Sequence, residues 1–287
     1  MKFKKSGLAL ISFFGYSNLF IALCAFFLSI QTARIFNLNN VIPLALFNAG
    51  STFIVYNLQR LFQFYSQQTI LPQRKQWLQQ NLFYLIALII AAIFYLSYEV
   101  YKHFYFIIPY YSILFIISLC YFIPGINLRK LPFLKIFIIS FTWIFSCCVL
   151  PCTIFLKENG IYHFTFTMIK PGMLGYFCSQ FLLMAALCIP FDIRDLEYDQ
   201  LNGVKTFPVL MGIQQSKRVT YLLIVLYFLI AFFISSTSNL IVVYGITSLL
   251  TGVIIYKTKS ISQQEFFIFI VDGIIIFQAA LALSQKF

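Results

Sequence analysis

Residues 190–212 read PFDIRDLEYDQLNGVKTFPVLMG and close an apolar run that begins near residue 172. The chain of 287 residues owns eight acidic side chains, and four of them, Asp192, Asp195, Glu197 and Asp199, fall within eight positions here. On a helix continued past Pro190, at about 100° per residue, Asp192, Asp195 and Asp199 share an arc of roughly 60°, while Arg194 and Glu197 point away. Three carboxylates on one stripe repel each other unless a cation lies between them. Hard divalent cations take oxygen ligands, and Mg²⁺ is typically held by a few carboxylates plus substrate phosphates. The spacing D-x-x-D-x-x-x-D therefore suits a Mg²⁺–diphosphate site, with Asp192, Asp195 and Asp199 as metal ligands. Lys205 and Arg194 are then placed to pair with phosphate oxygens. The competing reading is a solvated loop that carries charge as loops do. The scarcity of acids elsewhere weighs against it.

The solvent of the neighbouring runs decides the fold. Hydrophobic residues make up 61% of the chain and charged residues 10%, with a mean hydropathy of +0.89. A soluble domain is nearer half apolar and a quarter charged, so the solvent is lipid. A spanning helix needs about 20 largely apolar residues. Runs that qualify, with soft boundaries, are 8–30, 41–57, 81–98, 104–123, 134–156, 172–190, 219–236, 239–256 and 264–284. The second is the weakest, diluted by Asn48, Ser51, Thr52 and Asn57. The runs are too long for barrel strands and lack their alternation. The first begins like a signal peptide but continues to Ile30 without a small-residue cleavage site, and reads as a retained span. The expected fold class is all-α, a single domain over 1–287 with about nine transmembrane helices.

A net charge of +12 would point to nucleic acid in a soluble chain. Here the basic residues flank apolar runs and report topology instead. With the N-terminus in the cytoplasm, fifteen of the twenty Lys and Arg fall on the cytoplasmic side and five on the other. The long loops 58–80 and 191–218 are then cytoplasmic and cap the bundle. The expected location is a bacterial cytoplasmic membrane, crossed many times. The seven cysteines lie in or beside apolar runs without a C-x-x-C pair, so neither a disulfide framework nor a zinc site is indicated. Nothing in the pattern speaks to self-association.

The run from Phe191 to Gly212 resembles the second aspartate motif of the UbiA superfamily of intramembrane prenyltransferases. That motif is an R-D-x-x-x-D run followed by a glycine, a Lys-Thr pair and a short apolar tail ending in glycine. Here these are Arg194, Asp195, Asp199, Gly203, Lys205, Thr206 and Gly212. Asn18 matches an asparagine near the start of the family's first helix, and YFIPGINLRKLPFLK resembles its loop between helices four and five through Pro124, Arg129 and Lys135. The resemblance implies a helical bundle around a central cavity open to the cytoplasm and, sideways, to lipid. It implies Mg²⁺ and a polyprenyl diphosphate at the cavity mouth, and a lipophilic or aromatic acceptor. Asp195, Asp199 and Lys205 would be catalytic; Arg60, Arg129, Lys135, Arg194 and Lys205 would bind diphosphate; Asn18 and Asn57 would line the cavity. The 36 Phe and 18 Tyr would line a prenyl groove and stabilise an allylic cation.

The first aspartate motif of that family, N-x-x-x-D-x-x-x-D near the end of helix two, is absent. No Asp or Glu occurs between Asn48 and Gln80. Counting from Asn48, the aspartate positions hold Thr52 and Tyr56; counting from Asn57, they hold Leu61 and Tyr65. Asn57 and Arg60 share a helix face at i and i+3, so Arg60 either contacts diphosphate or anchors the helix at the membrane surface. Asp272, inside the last span, is a functional candidate or an interhelical hydrogen-bonding group. The leading function is a Mg²⁺-dependent prenyltransferase. The alternatives are a non-catalytic isoprenoid- or partner-binding member of the same fold and, more remotely, a transporter. A CDP-alcohol phosphotransferase lacks its D-G-x-x-A-R signature here.

Overall fold

The first apolar run is not one helix. It is helical over 13–16, turns at Ser17 and Asn18, and resumes as α1, Leu19–Phe36. The break is at Asn18, whose φ of 60° is a left-handed conformation that asparagine tolerates. The computed structural model describes residues 13–39, 41–65, 72–122, 131–153, 171–235, 237–258 and 266–285, and every regular element among them is helical. After α1 come α2 (Ile42–Tyr65), α3 (Pro72–Glu99), α4 (Ile108–Phe122), α5 (Leu134–Ile144) and α6 (Pro171–Arg194). The short α7 (Leu196–Leu201), α8 (Phe207–Ile234), α9 (Ser238–Lys257) and α10 (Gly273–Ser284) follow. Wider π-type turns lie at Val100–Phe104, Phe145–Val149 and Phe266–Val271.

Seven helical stretches are long and apolar enough to cross a membrane. One of them, Arg74–Ser118, has 45 residues. As a straight helix it would measure roughly 68 Å, about twice the hydrocarbon core. It divides instead at 100–107 into α3 and α4. α2 misses the hydropathy test but is 24 residues long. Counted this way, the described residues hold nine spanning segments, as the sequence predicts.

The polar residues that dilute α2 face inward, and its two asparagines are hydrogen-bonded there. Asn48 donates to Ser29 Oγ at 2.8 Å and to the Ser146 carbonyl at 3.0 Å, and accepts from the Tyr111 hydroxyl. Hydropathy alone underrates such a span because it cannot see which side the amides face. α2 runs antiparallel to α3. Leu44 and Phe47 near its start pack on Phe104 and Ile107, while Phe53 and Ile54 pack with Leu78, Leu85 and Ile89. The 58–80 connection, whose glutamine-rich residues 59–80 read as a polar or interfacial helix, is largely helical among the described residues: α2 continues to Tyr65 and α3 starts at Pro72. Backbone hydrogen bonding carries both helices past the apolar stretch, and Pro72 at the first helical position gives up only a donor that a helix start leaves unused.

The main core joins α1, α5, α6, α8, α9 and the final segment, through Leu28, Trp143, Cys148, Tyr176, Leu183, Tyr227, Tyr244 and Phe267. α6 and α8 approach so closely that a Cβ at Gly175 would lie 2.4 Å from the Ile234 side chain. The second-motif glycines have conformational reasons. Gly203 (φ 67°) ends α7, where the Val204 N–H donates to the Asp199 carbonyl at 2.9 Å. Gly212 (φ 78°) kinks α8 after one turn.

Candidate functional site

Helices α1 to α6 and the final segment enclose a cavity of about 540 Å³. Among the described residues, α8 and α9 contribute nothing to its wall. One end is polar. α2 supplies Gln59, Arg60 and Gln63, α3 supplies Arg74, α5 supplies Lys135, α6 supplies Arg194, and Asp195 follows it. The wall beyond is largely apolar and aromatic, with Ile21, Phe47, Leu96, Ile107, Phe115, Ile139, Leu187 and Ile275.

The stripe that α2 turns to the cavity includes Asn48, Thr52, Tyr56 and Arg60, spaced four residues apart and so on one face. The register counted from Asn48 therefore faces the cavity. Leu61 and Tyr65, the register from Asn57, are not in the wall. The positions that could present a first aspartate motif hold a threonine and a tyrosine, and one repeat further stands an arginine. Tyr56 Oη accepts from Trp143 Nε1 at 3.3 Å, and Arg60 Nη1 donates to Gln63 Oε1 at 3.0 Å.

The acidic stripe of the second motif is divided rather than pooled. α6 ends at Arg194, and Asp195 is the turn residue before α7. Asp192 is fully buried, ion-paired with Lys135, and outside the cavity wall. Asp199 is likewise buried and outside the wall. Asp195 does line the cavity, with its two oxygens taken by Arg194 Nε at 2.7 Å and Nη2 at 2.8 Å. Arg194 thus turns toward Asp195 and the cavity, not away as continuous-helix geometry predicts. Its guanidinium also lies 5.0 Å from the Phe191 ring centroid and 5.1 Å from that of Phe267. Burial works to raise the Asp195 carboxyl, but the Arg194 guanidinium, with Lys135 and Arg60 beyond it, overcomes this and holds it at about 2.

The other expected residues fall as follows. Asn18 lines the cavity; Asn57 is buried behind it, accepting from Asn18 Nδ2 at 2.8 Å and donating to the Ser17 and Phe53 carbonyls. Lys205 is exposed on the α7–α8 connection, away from the wall. Arg129 lies outside the described residues. Two wall residues had little or no sequence signal as ligands. Arg74 reads only as a basic flank, yet its side chain is 6% exposed and Nη2 donates to Asn18 Oδ1 at 3.0 Å. Gln63 reads as part of a glutamine-rich surface helix, yet it is buried. Asp272 does face the cavity, and among the described residues no hydrogen bond or ion pair holds its carboxylate.

This donor set does not fit the Mg²⁺ cluster that the aspartate motifs imply. One motif carboxylate faces the cavity and is committed to Arg194, the other two are set back from the wall, and no group of three His, Cys, Asp or Glu among the described residues is arranged to hold a metal.

No known family profile and no curated protein matches the chain by sequence. Solved structures match by shape. A UbiA homolog from Archaeoglobus fulgidus bound to GPP and Mg²⁺ is 15% identical, with a TM-score of 0.64 over 95% of this chain and 98% of that one. A UbiA homolog from the same organism bound to DMAPP and Mg²⁺ is 14% identical, with a TM-score of 0.57 over 96% and 100%. Another, bound to Cd²⁺, is 17% identical, with a TM-score of 0.55 over 95% and 99%. At such identities the likeness is one of fold. The chain is an integral, multi-pass helical protein with the fold of the UbiA superfamily, which its residues 191–212 resemble.

Proposed function

We propose that this chain is an intramembrane prenyltransferase that moves a polyprenyl group from its diphosphate to a lipophilic or aromatic acceptor. The observation that carries the proposal is the gathering of Arg60, Arg74, Lys135 and Arg194 at one end of an otherwise apolar cavity. A prenyl diphosphate has the same division, an anionic head and an apolar tail. The ligands of the Archaeoglobus homologs, GPP and DMAPP, belong to this class.

Cations fixed in advance stabilise the charge that grows on a departing diphosphate. The bond from prenyl C1 to the bridging oxygen breaks, and its electron pair leaves with the diphosphate. The allylic cation forms beside Tyr56, Trp143 and Phe191, whose ring faces favour positive charge. A nucleophilic atom of the acceptor bonds to C1 and loses a proton to the Asp272 carboxylate. The products are prenylated acceptor, diphosphate and a proton. Mg²⁺ is the ion expected from the resemblance, and among the described residues the carboxylates that face the cavity do not form a cluster to hold it. The positive-inside count supports an orientation with the polar end of the cavity and the N-terminus in the cytoplasm.

The test is diphosphate release from a labelled polyprenyl diphosphate by purified protein in lipid, with a membrane lipid extract as acceptor source. Release with prenylated product is expected, falling at least 100-fold in Asp272→Asn. Binding without release favours a second reading, a non-catalytic isoprenoid-binding protein, for which the loss of first-motif carboxylates speaks. A chain that does not bind the diphosphate overturns both.

A further inference from the structure

Arg74 is a buried guanidinium without a carboxylate. Its partners are neutral: the Asn18 amide oxygen and, at 6.0 Å, the Tyr16 ring. Its Nε is buried with no hydrogen-bond partner, and no carboxylate pairs with it among the described residues. A membrane-anchoring arginine snorkels its charge to headgroup water. Arg74 instead points into the cavity beside Asn18. Taking an unpaired charge out of water is expensive, and structures keep such a charge where something pairs with it.

Among the described residues, α2 and α3 give the cavity wall no acid, and the carboxylates that act on Arg74 from elsewhere in the wall, Asp195 and Asp272, form no ion pair with it. Thr52 and Tyr56 occupy the α2 positions facing the cavity, Arg60 follows on the same stripe, and Arg74 enters from α3. In a site built on two acidic walls, metal ions bridge between carboxylate and phosphate. Here one wall carries its positive charge covalently, and a guanidinium pairs with phosphate through parallel N–H donors without any ion between them.

We propose that Arg74 is a direct diphosphate ligand, and that this chain binds prenyl diphosphates without a divalent cation. The Asn57–Asn18–Arg74 chain positions it, since Asn18 Oδ1 holds Nη2 and leaves Nε and the remaining Nη hydrogens for phosphate oxygens. The inference rests on the transferase reading for its ligand class and departs from the Mg²⁺ that the resemblance implies.

The experiment is calorimetric titration of the full chain in lipid nanodiscs with geranyl diphosphate, in Mg²⁺ and in EDTA, with inorganic diphosphate as competitor. The expected result is a Kd that changes less than threefold on chelation, and at least 30-fold weaker binding in Arg74→Gln in both buffers. Asn18→Asp, which leaves the guanidinium in place and gives it a carboxylate, is expected to weaken binding about tenfold; it serves if Arg74→Gln does not fold. Competition by inorganic diphosphate shows that the head group is what the site reads, as against a phospholipid or the prenyl tail. Loss of wild-type binding in EDTA, or undiminished affinity in both variants, overturns the proposal and leaves the transferase reading intact. Wild-type protein that binds in neither buffer overturns that reading as well.

Discussion

The two walls of the cavity mouth answer the same electrostatic demand in opposite ways. On the α6–α7 side the chain keeps three aspartates, and the structure pairs Asp192 with Lys135 and Asp195 with Arg194. On the α2–α3 side, among the described residues, no acid lines the mouth, and the polar groups are Gln59, Arg60, Gln63 and Arg74. A motif that resembles a metal site is therefore, in this fold, partly a set of internal ion pairs. The wall that has lost its motif is the one with charge left for a ligand. Counting carboxylates measures a metal site only where their partners are known.

Four changes break or sharpen this comparison. The largest effect belongs to the buried pair. Lys135→Met strands Asp192, whose side chain is 1% exposed, and is expected to destabilise the protein by about 3–5 kcal/mol, with most of it recovered in Lys135→Met/Asp192→Asn. Thermal unfolding in detergent reads this directly; a double variant no more stable than the single removes the pairing argument.

Next come two near-isosteric changes that shift one charge on each wall. Gln63→Glu puts a carboxylate on Arg60 and is expected to weaken geranyl diphosphate binding in EDTA about tenfold, roughly 1.4 kcal/mol, within the range for one charge at an effective dielectric near 20. Asp195→Asn frees Arg194 and is expected to tighten binding several-fold. In a metal-bridged site the same change weakens it, so the sign of the Asp195→Asn effect separates the two schemes.

The smallest effect is on acid stability. The Asp195 carboxyl is held at about 2 by Arg194, Lys135 and Arg60 against its burial, while an unfolded aspartate titrates near 4. Its stabilisation is complete above about pH 4 and is lost as pH falls through about 2. The acid limb of the unfolding profile should therefore shift toward neutral pH in Arg194→Gln. An unchanged limb would mean that the pair contributes nothing.

Much of the fold was legible because lipid imposes a simple rule: apolar runs must be about one membrane thick. The runs 219–236 and 239–256 end within two residues of α8 and α9, where polar residues bound them closely. The start of α3 was half legible: the glutamine-rich residues around Gln73, Arg74 and Lys75 read as a polar helix, but not as the first turns of the spanning helix itself. The candidate site was half legible. Lys135, Arg194 and Asp195 lie in or near the recognisable motifs, and all reach the cavity. Arg74 could not be read because what distinguishes it is the company of Asn18, 56 positions away, and the want of a paired carboxylate among the described residues. Both are properties of tertiary placement. Whether Asp192 and Asp199 face a ligand was equally hidden, because it depends on where α6 stops and turns.

The lone guanidinium of Arg74 also bears on how the protein is completed. Empty, the fold carries a local conflict at Arg74, a buried charge with no paired carboxylate among the described residues. An anion that settles there resolves the conflict and is, thermodynamically, a part of the folded state: at a hundred times its dissociation constant it adds about 2.7 kcal/mol of stability. The substrate's head group would then act on the chain before any chemistry, as a folding ligand. A membrane poor in prenyl diphosphate would hold a less stable population of this protein, and supply of the donor would set how much of it persists.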